Sequence, residues 1–112
     1  MAEYTVKESD KFEADLEEAV IWLYFHNLEQ SQEFADQKSL ELKQEVKNLE
    51  LHLAKTPYMG RVDDVSGLRR FPLYGGRYAA TWTIDENARL VTLLELIDSK
   101  YPQELREFHF DA

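Results

Sequence analysis

The sequence contains no cysteine, and only three prolines and four glycines among its 112 residues. Without cysteine the chain cannot form disulfides, use a thiolate nucleophile or build a cysteine-ligated zinc site. It has no apolar run near the ~18 residues that a membrane-spanning helix requires. Its first ten residues also lack the basic and then apolar layout of a secretory signal. We therefore expect a soluble, cytoplasmic protein with no membrane contact.

The residues of metal and cofactor sites are also sparse. His26, His52 and His109 lie far apart, and none has a second ligand three or four residues away. Gly75 and Gly76 precede a strand pattern and no helix, which excludes a glycine-rich phosphate loop. The sequence therefore predicts neither a metal nor a cofactor.

Length and charge bound the architecture. With 112 residues and 44% apolar residues, the chain can bury one core, so residues 1–112 are expected to form a single domain. The net charge is −9, yet all six arginines follow position 60 while six of the seven lysines precede it. Arginine binds carboxylate or phosphate in a fixed fork, so this segregation indicates recognition by the second half. The alternative is that the arginine stems only cover apolar strand surface.

Two helical patterns follow a short strand pattern at residues 2–7. Ser9 or Asp10 can cap the first helix, which is predicted to end near Asn27. Ser31 is predicted to begin a second, longer helix that continues to about Lys55. The apolar positions recur at helical spacing; they are Phe12, Leu16, Ala19, Val20 and Leu23, then Leu42, Val46, Leu49 and Leu53. The few residues between the helices predict an antiparallel hairpin.

Three strand patterns follow a predicted loop at residues 58–66. They span residues 68–73, 77–84 and 90–97, with turns at Gly75-Gly76 and at residues 85–87. In the middle strand, alternate residues from Tyr78 to Ile84 are expected to face the helices, leaving Arg77 on the other face. A short C-terminal helix is expected to dock through Leu105 and Phe108. The predicted class is α+β, with the N-terminal strand and the helical hairpin packed on a small antiparallel sheet.

The order of a strand, a helical hairpin and a three-stranded meander resembles the RelE/ParE superfamily of toxins from bacterial toxin–antitoxin operons. Several short motifs carry the resemblance. The motifs are Thr56-Pro57 with Gly60, Gly67-Leu68-Arg69, Gly76-Arg77-Tyr78, Trp82-Thr83-Ile84-Asp85 and Ser99-Lys100-Tyr101. The resemblance extends from Tyr4 to Tyr101. It implies a RelE/ParE-like fold and the toxin component of a type II module of the plasmid-stabilisation type, neutralised by a cognate antitoxin.

The resemblance also implies two different targets. RelE-like members are ribosome-dependent, metal-independent endoribonucleases that cut mRNA, and here Arg69, Arg77, Lys100 and Tyr101 would supply the catalytic groups. Arg61, Arg70 and Tyr78 would contact RNA or a protein partner. ParE-like members instead inhibit DNA gyrase without catalysis, and a third alternative is a non-toxic relative that acts as a binding or regulatory module.

Three aromatic residues lie partly outside the first helical stripe. Trp22, Tyr24 and Phe25 either extend the core or present an apolar patch to a second chain. A homodimer is one form that such a contact can take.

Overall fold

The computed structural model describes residues 3–99. Two helices, α1 (Asp10–Asn27) and α2 (Gln32–Lys55), follow strand β1 (Thr5–Glu8). Four further strands come after the hairpin, and these are β2 (Arg61–Val62), β3 (Arg69–Leu73), β4 (Tyr78–Asp85) and β5 (Leu90–Asp98). The predicted α+β class is confirmed, and the bounds of both helices agree with the sequence patterns. The predicted C-terminal helix with Leu105 and Phe108 lies outside the described residues.

The helices begin where the serines predict. The Ser9 hydroxyl accepts a hydrogen bond from the Phe12 amide at 3.0 Å, and Ser31 accepts one from the Phe34 amide at 3.0 Å. Each cap satisfies an amide that has no partner within its own helix. Local chemistry therefore fixes both helix starts.

The sheet is mixed and has five strands in the order β1-β5-β4-β3-β2. The meander β3-β4-β5 is antiparallel as expected, but β1 pairs in parallel with β5. The sequence predicted no pairing partner for the N-terminal strand. In the structure β1 is parallel to β5, because the helical hairpin carries the chain back before the meander begins. The loop predicted at residues 58–66 was also only partly correct, since it contains β2, which pairs with β3.

The core lies between the helices and one face of the sheet. Both predicted stripes face it, and the middle strand turns Tyr78, Ala80 and Trp82 toward the helices as expected. The buried residues of this core are Phe12, Ala19, Leu23, Leu42, Val46, Leu49, Leu53, Leu73, Tyr78, Ala80, Trp82, Val91, Leu93 and Leu96. We call the opposite side of the sheet the distal face.

A bulge in β5 sets which of its residues reach the core. Thr81 pairs with Glu95, whereas Trp82 pairs with Leu93, so Leu94 has no partner across the ladder. The Leu94 carbonyl accepts a hydrogen bond from the Ser9 hydroxyl at 3.0 Å, and the Leu96 amide donates to Asp15 at 3.1 Å. The pairing of β1 with β5 ends at Leu93, so the beginning of α1 satisfies backbone groups of β5 that lie beyond the end of β1.

The motif around Thr56-Pro57 and Gly60 packs against Trp82. The Trp82 indole donates a hydrogen bond to the Pro57 carbonyl at 3.1 Å. Gly60 has φ +84°, and a Cβ added there would lie 2.6 Å from the Arg70 carbonyl oxygen. Glycine is therefore required where this segment crosses β3.

Candidate functional site

The arginines predicted to be functional lie in three different environments. Arg69 pairs with Trp82 across β3 and β4, so its side chain leaves the sheet on the side that faces the helices. Its guanidinium donates to the Tyr58 carbonyl at 2.6 Å and lies 5.2 Å from the centre of the Tyr58 ring. Arg69 thus holds the segment that joins α2 to β2.

Arg77 lies in the turn before β4, although the sequence pattern placed it within the strand. The turn has positive φ at Tyr74, Gly75 and Gly76. The guanidinium of Arg77 forms a two-pronged ion pair with Asp98, with Nε to Oδ1 at 2.9 Å and Nη2 to Oδ2 at 3.2 Å. It also lies 4.4 Å from the centre of the Trp22 ring of α1. Contact with α1 places Arg77 toward the helices, so the expectation that it leaves the distal face was wrong.

Trp22 connects this ion pair to the end of α1. The Trp22 ring stacks on His26, with ring centres 4.2 Å apart and an interplanar angle of 16°. Arg77 therefore takes part in an ion pair and a cation–π contact, both of which are strengthened by partial burial. Sequence reasoning missed Asp98 and Trp22 as its partners because neither adjoins Arg77 in the sequence.

Arg61 and Arg70 are the two candidate residues that the fold brings together. They are direct partners in the β2–β3 pair. Arg70 also pairs with Thr81. Thr81 is on the distal face, because its neighbours Ala80 and Trp82 both face the helices and successive residues of a strand alternate. Both arginines line a groove of about 820 Å³ whose other lining residues include Val62, Pro72 and Ser99.

Tyr78 is buried in the core. Only 2% of the residue is exposed, and its hydroxyl has no hydrogen-bond partner among residues 3–99. Burial raises the pKa of Tyr78 above its usual value, against a smaller opposing effect from the charge of Arg77. Burial therefore argues against the direct RNA or partner contact predicted for Tyr78.

The predicted catalytic set is not assembled within the described residues. Arg69 lies opposite Trp82, whereas Arg77 directly precedes Tyr78, the first residue of β4. Tyr78 and Trp82 are four residues apart, a separation of about 13 Å at ~3.3 Å per residue. Lys100 and Tyr101 lie outside the described residues. Glu95 of β5 forms an ion pair with Lys11 at 3.3 Å. The catalytic roles of these residues remain predictions.

The helical hairpin carries an apolar surface that the sequence only partly anticipated. Trp22 packs against the core, but Phe25 is 64% exposed. Ile21 and Leu40 are also exposed and line a groove between the two helices with Tyr24. Whether a second chain covers this surface remains a prediction.

The described residues contain neither a metal-binding cluster nor a helix that could cross a membrane. Between residues 3 and 99, no three histidine, aspartate or glutamate side chains are grouped so that they could hold a metal ion. Neither α1 nor α2 is sufficiently long and apolar to cross a membrane.

Comparison with known proteins finds similarity among solved structures. No protein-family model and no curated protein matches the sequence. A solved structure described as "Chromosomal ParDE TA system from P. aeruginosa" contains a similar chain, with a TM-score of 0.60 and 21% sequence identity. The match covers 85% of this chain and 95% of that chain. The chain has a ParE-like fold. At 21% sequence identity, this likeness concerns the fold.

Proposed function

We propose that this chain is the toxin component of a type II toxin–antitoxin module of the plasmid-stabilisation type, and that a cognate antitoxin neutralises it. The observation that carries the proposal is the likeness to a chain of a ParDE system over 95% of that chain's length. The motifs at Thr56-Pro57, Gly60 and Trp82 support it, because they contact one another in the ParE-like fold.

Within this proposal, we favour action by binding over cleavage of RNA. An arginine that stabilises a phosphorane-like transition state must direct its guanidinium at the reacting phosphate. Arg77 instead directs two nitrogens at Asp98, and Arg69 donates to the Tyr58 carbonyl. A non-enzymatic inhibitor, such as one directed at DNA gyrase, needs no arginine that points at a reacting phosphate.

The negative net charge of the chain also favours a protein over a nucleic acid as its target. Nucleic-acid binding draws most of its affinity from cations that neutralise phosphates, whereas this chain carries a net charge of −9. Arg61 and Arg70 adjoin each other on the distal face, but Asp63 and Asp64 line the same groove. A long phosphate backbone would meet these carboxylates.

Induced expression tests the proposal. Cells producing the chain should stop growing, and co-expression of the antitoxin encoded beside it should restore growth. DNA damage without mRNA cleavage is expected if the target is gyrase, whereas mRNA cut at codons would support the ribonuclease mechanism predicted from the sequence. A control variant, Leu53→Asp, introduces a charge into the buried core and should abolish any effect through unfolding. Harmless expression of the correctly folded chain would contradict the toxin proposal.

A further inference from the structure

Two like charges face each other at the edge of the sheet. Arg61 of β2 and Arg70 of β3 are directly paired, and directly opposed residues have Cβ atoms about 4.5–5.5 Å apart on the same face. Like charges in that position destabilise a strand pair. A strand of only two residues, Arg61–Val62, has few hydrogen bonds to offset this repulsion.

The other arginines on β3 and the β3–β4 turn are differently placed. Arg69 is engaged by the Tyr58 carbonyl and Arg77 by Asp98. Within residues 3–99, neither Arg61 nor Arg70 forms an ion pair or a side-chain hydrogen bond with a protein group. These two guanidiniums line the groove on the distal face.

Asp63, one candidate for an internal counterion, already accepts hydrogen bonds from Ser66. One carboxylate oxygen of Asp63 accepts hydrogen bonds from the Ser66 amide at 2.8 Å and the Ser66 hydroxyl at 2.7 Å. These hydrogen bonds, and to a smaller extent the charge of Arg70, lower the pKa of Asp63. Asp63 therefore shapes the loop and contributes only a longer-range attraction to Arg70.

We propose that Arg61 and Arg70 together form a binding site for a carboxylate carried by an acidic segment of a protein partner. Two adjacent guanidinium forks match a carboxylate, because each can donate a pair of parallel hydrogen bonds. A carboxylate placed between them also removes their mutual repulsion. The identity of the partner as the antitoxin rests on the proposed function, whereas the site itself does not.

A single carboxylate fits this groove better than a polyphosphate does. Asp63 and Asp64 flank the arginines along the groove, so an extended chain of phosphates would approach them. An acidic side chain on a flexible segment can enter between the arginines while the rest of the segment avoids these aspartates. The two arginines thus attract a single anionic group, although the chain as a whole carries a net charge of −9.

Binding of a short acidic peptide to the purified chain tests the site. The probe is an acetylated, amidated pentapeptide, Gly-Glu-Ser-Glu-Gly, and its matched control contains glutamine in place of both glutamates. Arginine Nε–Hε signals in nitrogen-15 NMR report on each guanidinium separately. The glutamate peptide should shift the signals of Arg61 and Arg70 and leave that of Arg77 unchanged, and the glutamine peptide should shift none of them.

Variants distinguish binding at Arg61 and Arg70 from a nonspecific effect of positive charge. Arg61→Glu should raise the thermal midpoint, since it replaces a repulsive pair by an attractive one, and should raise the peptide Kd at least about tenfold. Arg70→Lys keeps the charge but loses the fork, so it should weaken binding by a smaller factor. Lys47→Ala removes one positive charge from α2 and should leave the affinity unchanged. Circular dichroism should confirm that each variant is folded.

Three results would overturn the inference. These are equal binding of the two peptides, unchanged affinity in Arg61→Glu, and tighter binding of decauridylate RNA than of the glutamate peptide. Because the assay uses the purified chain and a synthetic probe, it can succeed even if expression proves harmless. Conversely, a toxic chain whose arginine signals ignore the glutamate peptide would contradict this inference and leave the proposed function standing.

Discussion

Replacement of Glu50 by glutamine should make the chain more stable, and the gain should increase with pH. Glu50 lies on α2 beside Glu8 of β1, and its side chain is half-buried. Burial and then the hydrogen bond and negative charge of Glu8 raise the pKa of Glu50 from 4.5 to about 8. A carboxyl pair that shares a proton titrates as a unit, and the more buried member is expected to retain that proton.

The sign of the effect follows from proton binding in the folded and unfolded states. Below pH 4.5 both states carry the proton on Glu50, so this group adds no pH dependence. Between pH 4.5 and about 8 only the folded state retains it, so the free energy of unfolding falls as pH rises. Above this window both states are ionised and the full penalty of two adjacent carboxylates is present.

The size of the effect is set by partial exposure. Solvent screens a half-buried pair, so we expect a penalty of about 1–2 kcal/mol at pH 9 after allowance for screening. Glu50→Gln removes the charge and keeps an amide that can donate to Glu8. The variant should therefore match the parent at pH 5 and exceed its unfolding free energy by that amount at pH 9.

Urea denaturation followed by circular dichroism between pH 5 and pH 9 measures this difference. Glu29→Gln is the matched control, because it removes the same formal charge from an exposed position. The difference in unfolding free energy between Glu29→Gln and the parent should not increase from pH 5 to pH 9. If Glu50→Gln and the parent lost stability in parallel over this range, the shared proton between Glu8 and Glu50 would be refuted.

Three further substitutions test the packing. Gly60→Ala should lower the unfolding free energy by about 2–4 kcal/mol, because its Cβ would meet the Arg70 carbonyl oxygen at 2.6 Å in a backbone with positive φ; a loss below about 0.5 kcal/mol in urea denaturation would contradict this contact. Leu49→Ala should cost about 2–5 kcal/mol, since Leu49 is 3% exposed; a cost below about 1 kcal/mol would mean that another face of α2 is buried. Arg77→Lys should cost about 1 kcal/mol through loss of the paired contacts to Asp98, and an unchanged thermal midpoint would show that the ion pair is not stabilising.

Much of the secondary structure could be predicted because the signals are local. Ser9 and Ser31 each satisfy an amide three residues away, and the apolar stripes repeat within a single helix. The β3–β4 and β4–β5 connections join neighbouring strands through short turns, so antiparallel pairing followed from chain order. The family resemblance predicted a RelE/ParE-like fold, which the likeness to a chain of a ParDE system confirms.

The candidate site was harder to predict because its geometry depends on register. Alternation along a strand gives a side chain's face only while the strand continues, and Arg77 lies just before β4 begins. Its ion pair with Asp98 joins residues 21 apart in the sequence. The pairing of Arg61 with Arg70 required β2, which is too short to leave a periodic pattern.

The sequence by itself determined where the helices begin, which of their faces are apolar and where the meander turns, since each depends on residues within a few positions of one another. Only the tertiary structure decided that β1 runs parallel to β5, that Asp15 bonds to the bulged strand at Leu96, and which arginines are engaged internally. The Asp15 and Leu96 contact spans 81 residues. Such contacts arise when distant elements pack, and no local pattern encodes their register.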